Sequence, residues 1–213
     1  PAPFEPAQAE RAPSEPAPFE PAQAERAPSE PAPPEPAPPE PAQADTWAAT
    51  PPKPPPDIEP QLETLATVTD RDAAIDLACE TLLGVARAAW FMSLRKDALR
   101  GVRGKGPLSN DVVRDLTVPV DADSRVADVA QRGQPYDGPL GSSPADAALV
   151  AAASARGSRM VLHPVFVEER LIGVLCADEV THGEQGAEQV RRVADTMGEA
   201  FRQMLLAAKA KRN

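Results

Sequence analysis

Apolar residues recur at intervals of three and four in two long stretches of the chain. Ala74, Ile75, Ala78, Cys79, Leu82, Leu83 and Ala86 make one stripe, and Val190, Val193, Ala194, Met197, Phe201, Met204, Leu205 and Ala208 make the other. Each predicts an amphipathic helix. Leu62, Leu65 and Val68 predict a short helix before the first of them. Thr69 is placed to cap the helix that follows, with Asp72 as the capping-box acid three residues on.

Between the two stripes the pattern changes. AAWFMSL (88–94) is short, apolar and aromatic, as a buried strand is. LRGVRG (99–104) reads as a more polar strand, and the pair predicts a hairpin about RKDA. Ser109 starts a brief helix to Leu116, and residues 117–120 are extended. Ser124 caps a helix that carries Val126, Ala127, Val129 and Ala130 and ends at Gly133. Residues 134–144 read as a turn-rich loop, and 146–155 as an alanine-rich helix. A second hairpin follows, with strands over 159–167 and 171–177 around Glu168-Glu169-Arg170. Pro164 has no amide donor and belongs at an edge, a bulge or a strand end, while Gly173 marks a bulge or a close approach. The order predicts an α+β fold: a mainly antiparallel sheet of about five strands, with helices from both ends of the domain on one face.

Composition divides the chain. Residues 1–60 hold 21 of the 27 prolines, with 11 acidic and 3 basic residues. PAPFEPAQAERAPSE occurs at 1–15 and again at 16–30, and a degenerate third copy follows. One Phe per copy supplies too little apolar surface to offset the entropy of ordering. Residues 1–57 are therefore expected to be a disordered, extended linker, with Phe4, Phe19 and Trp47 as the anchors had it a docking role. Residues 58–208 are the expected domain and 209–213 a basic tail. The chain opens on Pro1 and not Met, so it is expected to be a fragment or a processed product with something upstream of the spacer. The net charge of −10 argues against nucleic acid as a partner. No apolar run is long enough to span a membrane. Cys79 and Cys176 sit in apolar segments without CxxC spacing, which suits a reducing, cytoplasmic setting.

HPVFVEERLIGVLCAD (163–178) resembles the strand–turn–strand signature of GAF domains. The helix before AAWFMSL, the RVADVAQRGQPY segment and the closing amphipathic helix fall where that family has them, so the resemblance spans roughly residues 62–208. GQPYDGPLGSSPAD is further similar to degenerate GAF-like domains of bacterial modular signalling proteins. PAS and roadblock domains share the same sheet and flanking helices. The resemblance implies a regulatory module that binds a small molecule, dimerises, or both. Motifs of particular subfamilies are missing. Asp178-Glu179 has no Asn-Lys partner of the cyclic-nucleotide type. Neither cysteine has the His neighbour of bilin-binding members, and two scattered cysteines do not make a methionine-sulfoxide reductase set.

On such a fold one sheet face packs on the terminal helices. The other would face the short helices and the loop around Tyr136. Trp90, Met92, Tyr136, Asp137 and His163 are the candidate lining of a small-molecule pocket there. Met197, Phe201, Met204 and Leu205 are the candidate dimer or partner face of the closing helix, with 207–210 running beyond the domain. Catalysis needs a nucleophile beside a base. Cys176 and His163 lie on paired strands, but a buried thiol is inert, so no catalytic residue, metal site or cofactor is assigned. Asp178-Glu179 is read as a solvated strand end. The expected function is that of a non-catalytic regulatory module with a homodimer or protein partner, and with an unknown small molecule as the alternative.

Overall fold

A computed structural model describes residues 54–152 and 159–212. The expected linker, with Phe4, Phe19 and Trp47, lies outside the described residues except for its last four positions, and so does the end of the predicted 146–155 helix. The elements are α1 (Glu59–Thr67), α2 (Arg71–Leu82), β1 (Ala88–Arg95), β2 (Ala98–Lys105), α3 (Asn110–Asp115), β3 (Thr117–Pro119), α4 (Arg125–Arg132), β4 (Tyr136–Gly138), α5 (Pro144–Ala152), β5 (Met160–Val167), β6 (Arg170–Asp178) and α6 (Gly183–Ala210). The strands form one sheet in the order β3-β2-β1-β6-β5-β4, with every neighbouring pair antiparallel.

Strand alternation sorts the core into two layers. Ala89, Phe91, Val161, Val165, Leu175 and Ala177 face α1, α2 and α6. Ala88, Trp90, Met92, Leu162, Val174 and Cys176 face α3, α4 and α5. Side-chain caps start three of the helices: Asp70 accepts from the Ala73 amide at 2.8 Å, Ser109 from Val112 at 3.2 Å and Ser124 from Val126 at 3.2 Å. Gly133 ends α4 at φ 65°, a left-handed turn that suits glycine.

Local details of the architecture differ from the sequence reading. The α2 cap is Asp70 and not Thr69. The sheet has six strands and not about five, because Tyr136–Gly138, read as loop, pairs with Leu162, Val161 and Met160 along β5. The final helix runs to Ala210, through the 207–210 extension, and includes Lys209. The chain also joins the domain before Ile58: Gln189 Nε2 donates to the Pro56 carbonyl at 2.7 Å.

Two bulges interrupt the ladders. One lies on β1–β2 between Phe91 and Met92, the other on β5–β6 between Val165 and Phe166. Pro164 lies beside the second, where β5 has run past its three-residue partner β4. Gly173 is needed there: a Cβ on it would lie 2.2 Å from the Met92 carbonyl oxygen.

Candidate functional site

Register decides which predicted pocket residues meet. Trp90 pairs with Cys176, which pairs with Leu162; Phe91 pairs with Leu175, which pairs with His163. Trp90 and His163 therefore lie on opposite faces of the sheet. Trp90 and Met92 are fully buried in the layer under α3, α4 and α5, so that side is packed core where the sequence reading placed a pocket wall. The five candidate residues do not share one cavity.

Three of them do meet elsewhere. Tyr136, Asp137 and His163 line a cleft of about 290 Å³ between the β4–β5 edge and α6, together with Val161, Glu184, Glu188 and Arg191. β4 brings Tyr136 and Asp137 there, which is why the unpredicted strand matters. Asp137 makes a bidentate pair with Arg159 at 2.7 and 2.6 Å. These hydrogen bonds hold its carboxyl below the usual range. Tyr136 borders the cleft, but its ring is on the face of its register partner Leu162, packed on the α3–α5 layer with the Arg125 guanidinium 5.4 Å from its centre. His163 Nδ1 lies 3.0 Å from the Pro164 carbonyl oxygen. A carbonyl only accepts, so Nδ1 carries the proton, and in the neutral ring Nε2 is the acceptor. Burial lowers the imidazole pKa, which favours that neutral form.

No thiol–imidazole pair forms. Cys176 points to the α3–α5 side and His163 to the α6 side. Burial pushes the Cys79 thiol up to about 12 and raises Cys176 well above its ordinary value, so both are protonated and unreactive at neutral pH. Among the described residues no group of His, Cys, Asp and Glu is placed to hold a metal ion.

Asp178 corrects another expectation. It is fully buried, not solvated. Its carbonyl accepts from the Arg87 amide at 2.9 Å, and its carboxylate lies 3.6 Å from the Arg87 guanidinium. The chain then reverses at Glu179, at φ 50°, which tucks the acid inside. Burial raises its pKa and the neighbouring Glu179 adds to that, against the pull of Arg87.

The candidate partner face is split. Met197 and Phe201 are buried in the core, and Phe201 meets the Phe91 ring at 6.2 Å. Met204 packs at the core margin. Leu205 and Leu206 are 60% and 47% exposed.

Two features escaped the sequence reading. Asp146 is a buried acid that accepts from Ser124 Oγ at 2.8 Å, the Arg125 amide at 3.1 Å and the Gly141 amide at 2.9 Å. It thus fills the start of α4 with the protein's own carboxylate. The other is an apolar groove between the start of α2 and the end of α6, floored by Phe91, Val102 and Ile172. Ser124 preceding an apolar run was a visible signal for the first. Nothing periodic marks the second.

No family model and no curated protein matches the chain in sequence. Solved structures match it in shape. Free methionine-R-sulfoxide reductase from Neisseria meningitidis, in complex with its substrate, is 20% identical, with 69% of this chain and 87% of that one covered at a TM-score of 0.56. The GAF-B domain of DevS from Mycobacterium smegmatis is 17% identical, with 67% and 98% covered at 0.51. The phycocyanobilin-bound GAF domain of a cyanobacterial phytochrome is 15% identical, with 71% and 97% covered at 0.56. With an antiparallel six-stranded sheet between two helical layers, and these neighbours, residues 59–210 have a GAF-like fold of the α+β class.

Proposed function

We propose that this GAF-like domain is a non-catalytic regulatory module of a cytoplasmic signalling protein, and that it works through its last helix by pairing with a second copy or a protein partner. One observation carries the reading. The buried stripe of α6 gives way near its end to Leu205 and Leu206, two large apolar side chains left in water. Leucines exposed next to each other near a helix end offer a partner an apolar contact surface. A fold neighbour from a methyl-accepting chemotaxis protein supports the regulatory half of the proposal. The separation of Cys176 from His163 supports the non-catalytic half.

The test is sedimentation equilibrium of the full chain against the Leu205→Glu/Leu206→Glu double variant. A wild-type dimer that the variant dissociates, at unchanged thermal stability, supports the helix as the interface. A wild-type monomer that also retains no protein partner from its host's extract refutes it.

A second reading is small-molecule sensing, favoured by Asp137 and His163 meeting in one cleft with acidic and imidazole groups, at whose edge Tyr136 lies. A metabolite that stabilises the chain, and no longer does so in Tyr136→Ala and His163→Ala, would support it. A stabilisation unchanged in both variants would place the ligand elsewhere.

A further inference from the structure

The apolar groove at the hairpin end of the sheet is separate from the Tyr136 cleft and lies on the helix-covered face. Its volume is about 350 Å³, at the small end of the roughly 300–1,000 Å³ typical of ligand pockets. The helix layer stops short here. α2 begins at Arg71, and α6 passes with Phe201, Met204 and Leu205 on the groove wall. Both sheet bulges open into this space. The extra residue of one is Val102, between the Phe91–Arg103 and Met92–Gly101 pairs, and that of the other is Ile172, between Gly173 and Leu171. Both side chains line the groove. Bulges commonly re-aim side chains beside functional sites.

The charge at one end of the groove is positive in balance. Arg71 and Arg95 line it. Arg95 is exposed and bonds only to Ser93 Oγ at 3.4 Å, and no carboxylate among the described residues lies within ion-pair distance of it. A second cleft shares Arg71, Ser93 and Arg95 with the groove and adds Asp72, Arg100, Arg103 and Arg114. Asp72 pairs with Arg71 at 2.8 Å and with Arg103 at 3.1 Å, and Arg114 lies 3.7 Å from Asp111, which leaves Arg95 and Arg100 as the cations that no carboxylate among the described residues pairs. The arrangement is an apolar slot with a cationic mouth. We propose that the groove binds a single-chain anionic amphiphile, with its hydrocarbon chain on Phe91, Val102, Ile172 and Met204 and its carboxylate or phosphate head at Arg95. Guanidinium donors suit either head group. An acidic peptide shares the charge but not the shape, because the slot is compact and its cations lie at one end. An occupant would touch Met204 and Leu205, so the site is placed to bias the end of α6.

The test is isothermal titration of the full chain with laurate, dodecyl phosphate, dodecanol and dodecyltrimethylammonium, each below its aggregation concentration. The first two probes distinguish a fatty acid from a phosphate-headed lipid. Expected is saturable one-to-one binding of an anion, at least about tenfold tighter than the neutral or cationic chain. Shortening the chain should weaken it about three- to fourfold per methylene. Arg95→Gln should remove most of the preference for anions. Met204→Trp fills the slot without burying a charge, and it should abolish binding with the fold intact by circular dichroism. The titrations are repeated on Leu206→Glu, whose substituted side chain is outside the groove, to expose a slot that a second copy covers. Saturable anion binding in either background supports the site. Equal binding of the neutral chain, indifference to Arg95→Gln, or no saturable binding in both backgrounds overturns it.

Discussion

The carbonyl oxygen of Phe166 occupies the space that a side chain on Gly198 would need: a Cβ there would lie 2.3 Å from it. This close approach seats α6 on β5, fixing both the cleft at His163 and the direction in which the helix leaves the domain. Alanine at 198 would gain about 1 kcal/mol of helix propensity. It would also meet a backbone oxygen that cannot rotate away, and overpacking of this kind costs about 1–3 kcal/mol. At 2.3 Å the upper end of that range applies, so the expected outcome is a net loss of about 2 kcal/mol for Gly198→Ala, read by urea unfolding. An unchanged or raised midpoint would show that helix and strand are not in such close contact.

Asp146 gives a larger effect. Its carboxylate holds the Ser124 hydroxyl and the Arg125 and Gly141 amides, tying α5, the start of α4 and the preceding loop together. Asp146→Ala leaves these donors without their acceptor in a buried place. Hydrogen bonds to a charged group are worth about 1.5–3 kcal/mol each, with strong non-additivity. We expect a loss of about 3 kcal/mol by chemical denaturation. Asp146→Asn should lose less, because it keeps one acceptor oxygen. Equal stability of Asp146→Ala and wild type would remove the network as a structural element.

How far the sequence carries this molecule depends on the range of the cause. The helices and both hairpins were legible because periodicity of 3.6 or 2 is a local mark of burial. β4 was not: three residues between Pro135 and Pro139 read as turn, and only the open edge of β5 makes them a strand. Thr69 and Asp70 are adjacent and both able to cap, so the choice between them rests on backbone geometry. The pocket failed for a longer-range reason. Alternation separates Leu162 from His163, but only the β1–β6–β5 register shows that Trp90 shares a face with Leu162. Asp178 looked solvated because it ends a strand; its burial follows from the reversal at Glu179 and the position of Arg87. The groove depends on two bulges, which leave no periodic trace.

His163 should give stability a pH dependence. Burial places its folded pKa below the ordinary 6.5, against the hydrogen bond to the Pro164 carbonyl and the charges of Asp195 and Glu188, with Arg191 acting in the same direction as burial. Below about 6.5 the unfolded chain takes up a proton that the folded chain resists, so stability falls as pH drops from there toward the lower folded value and then levels. His163→Asn keeps an N–H donor for the Pro164 carbonyl and removes the titration. Urea unfolding between pH ~7.5 and ~5.5 should show a shallower acid decline in the variant. Parallel curves would mean that the imidazole titrates alike in both states.

Asp178 carries the opposite sign. Burial, with Glu179 beside it, lifts its folded pKa above the ordinary 3.8 despite Arg87. Its carboxylate lies 3.6 Å from the Arg87 guanidinium, longer than a good hydrogen bond. The folded state therefore holds the proton to higher pH than the unfolded chain does. The stabilising linkage is complete below about 3.8 and is lost as pH rises through the folded value, so at neutral pH the ionised group weighs against the fold. Asp178→Asn removes that charge, while Arg87 keeps Glu179 at 3.7 Å. The variant should be more stable than wild type at pH ~7, and its advantage should shrink as pH falls toward ~4. Thermal denaturation of both proteins across that range reads the difference directly. A variant less stable at neutral pH would mean that the Arg87 pairing outweighs the cost of burying Asp178.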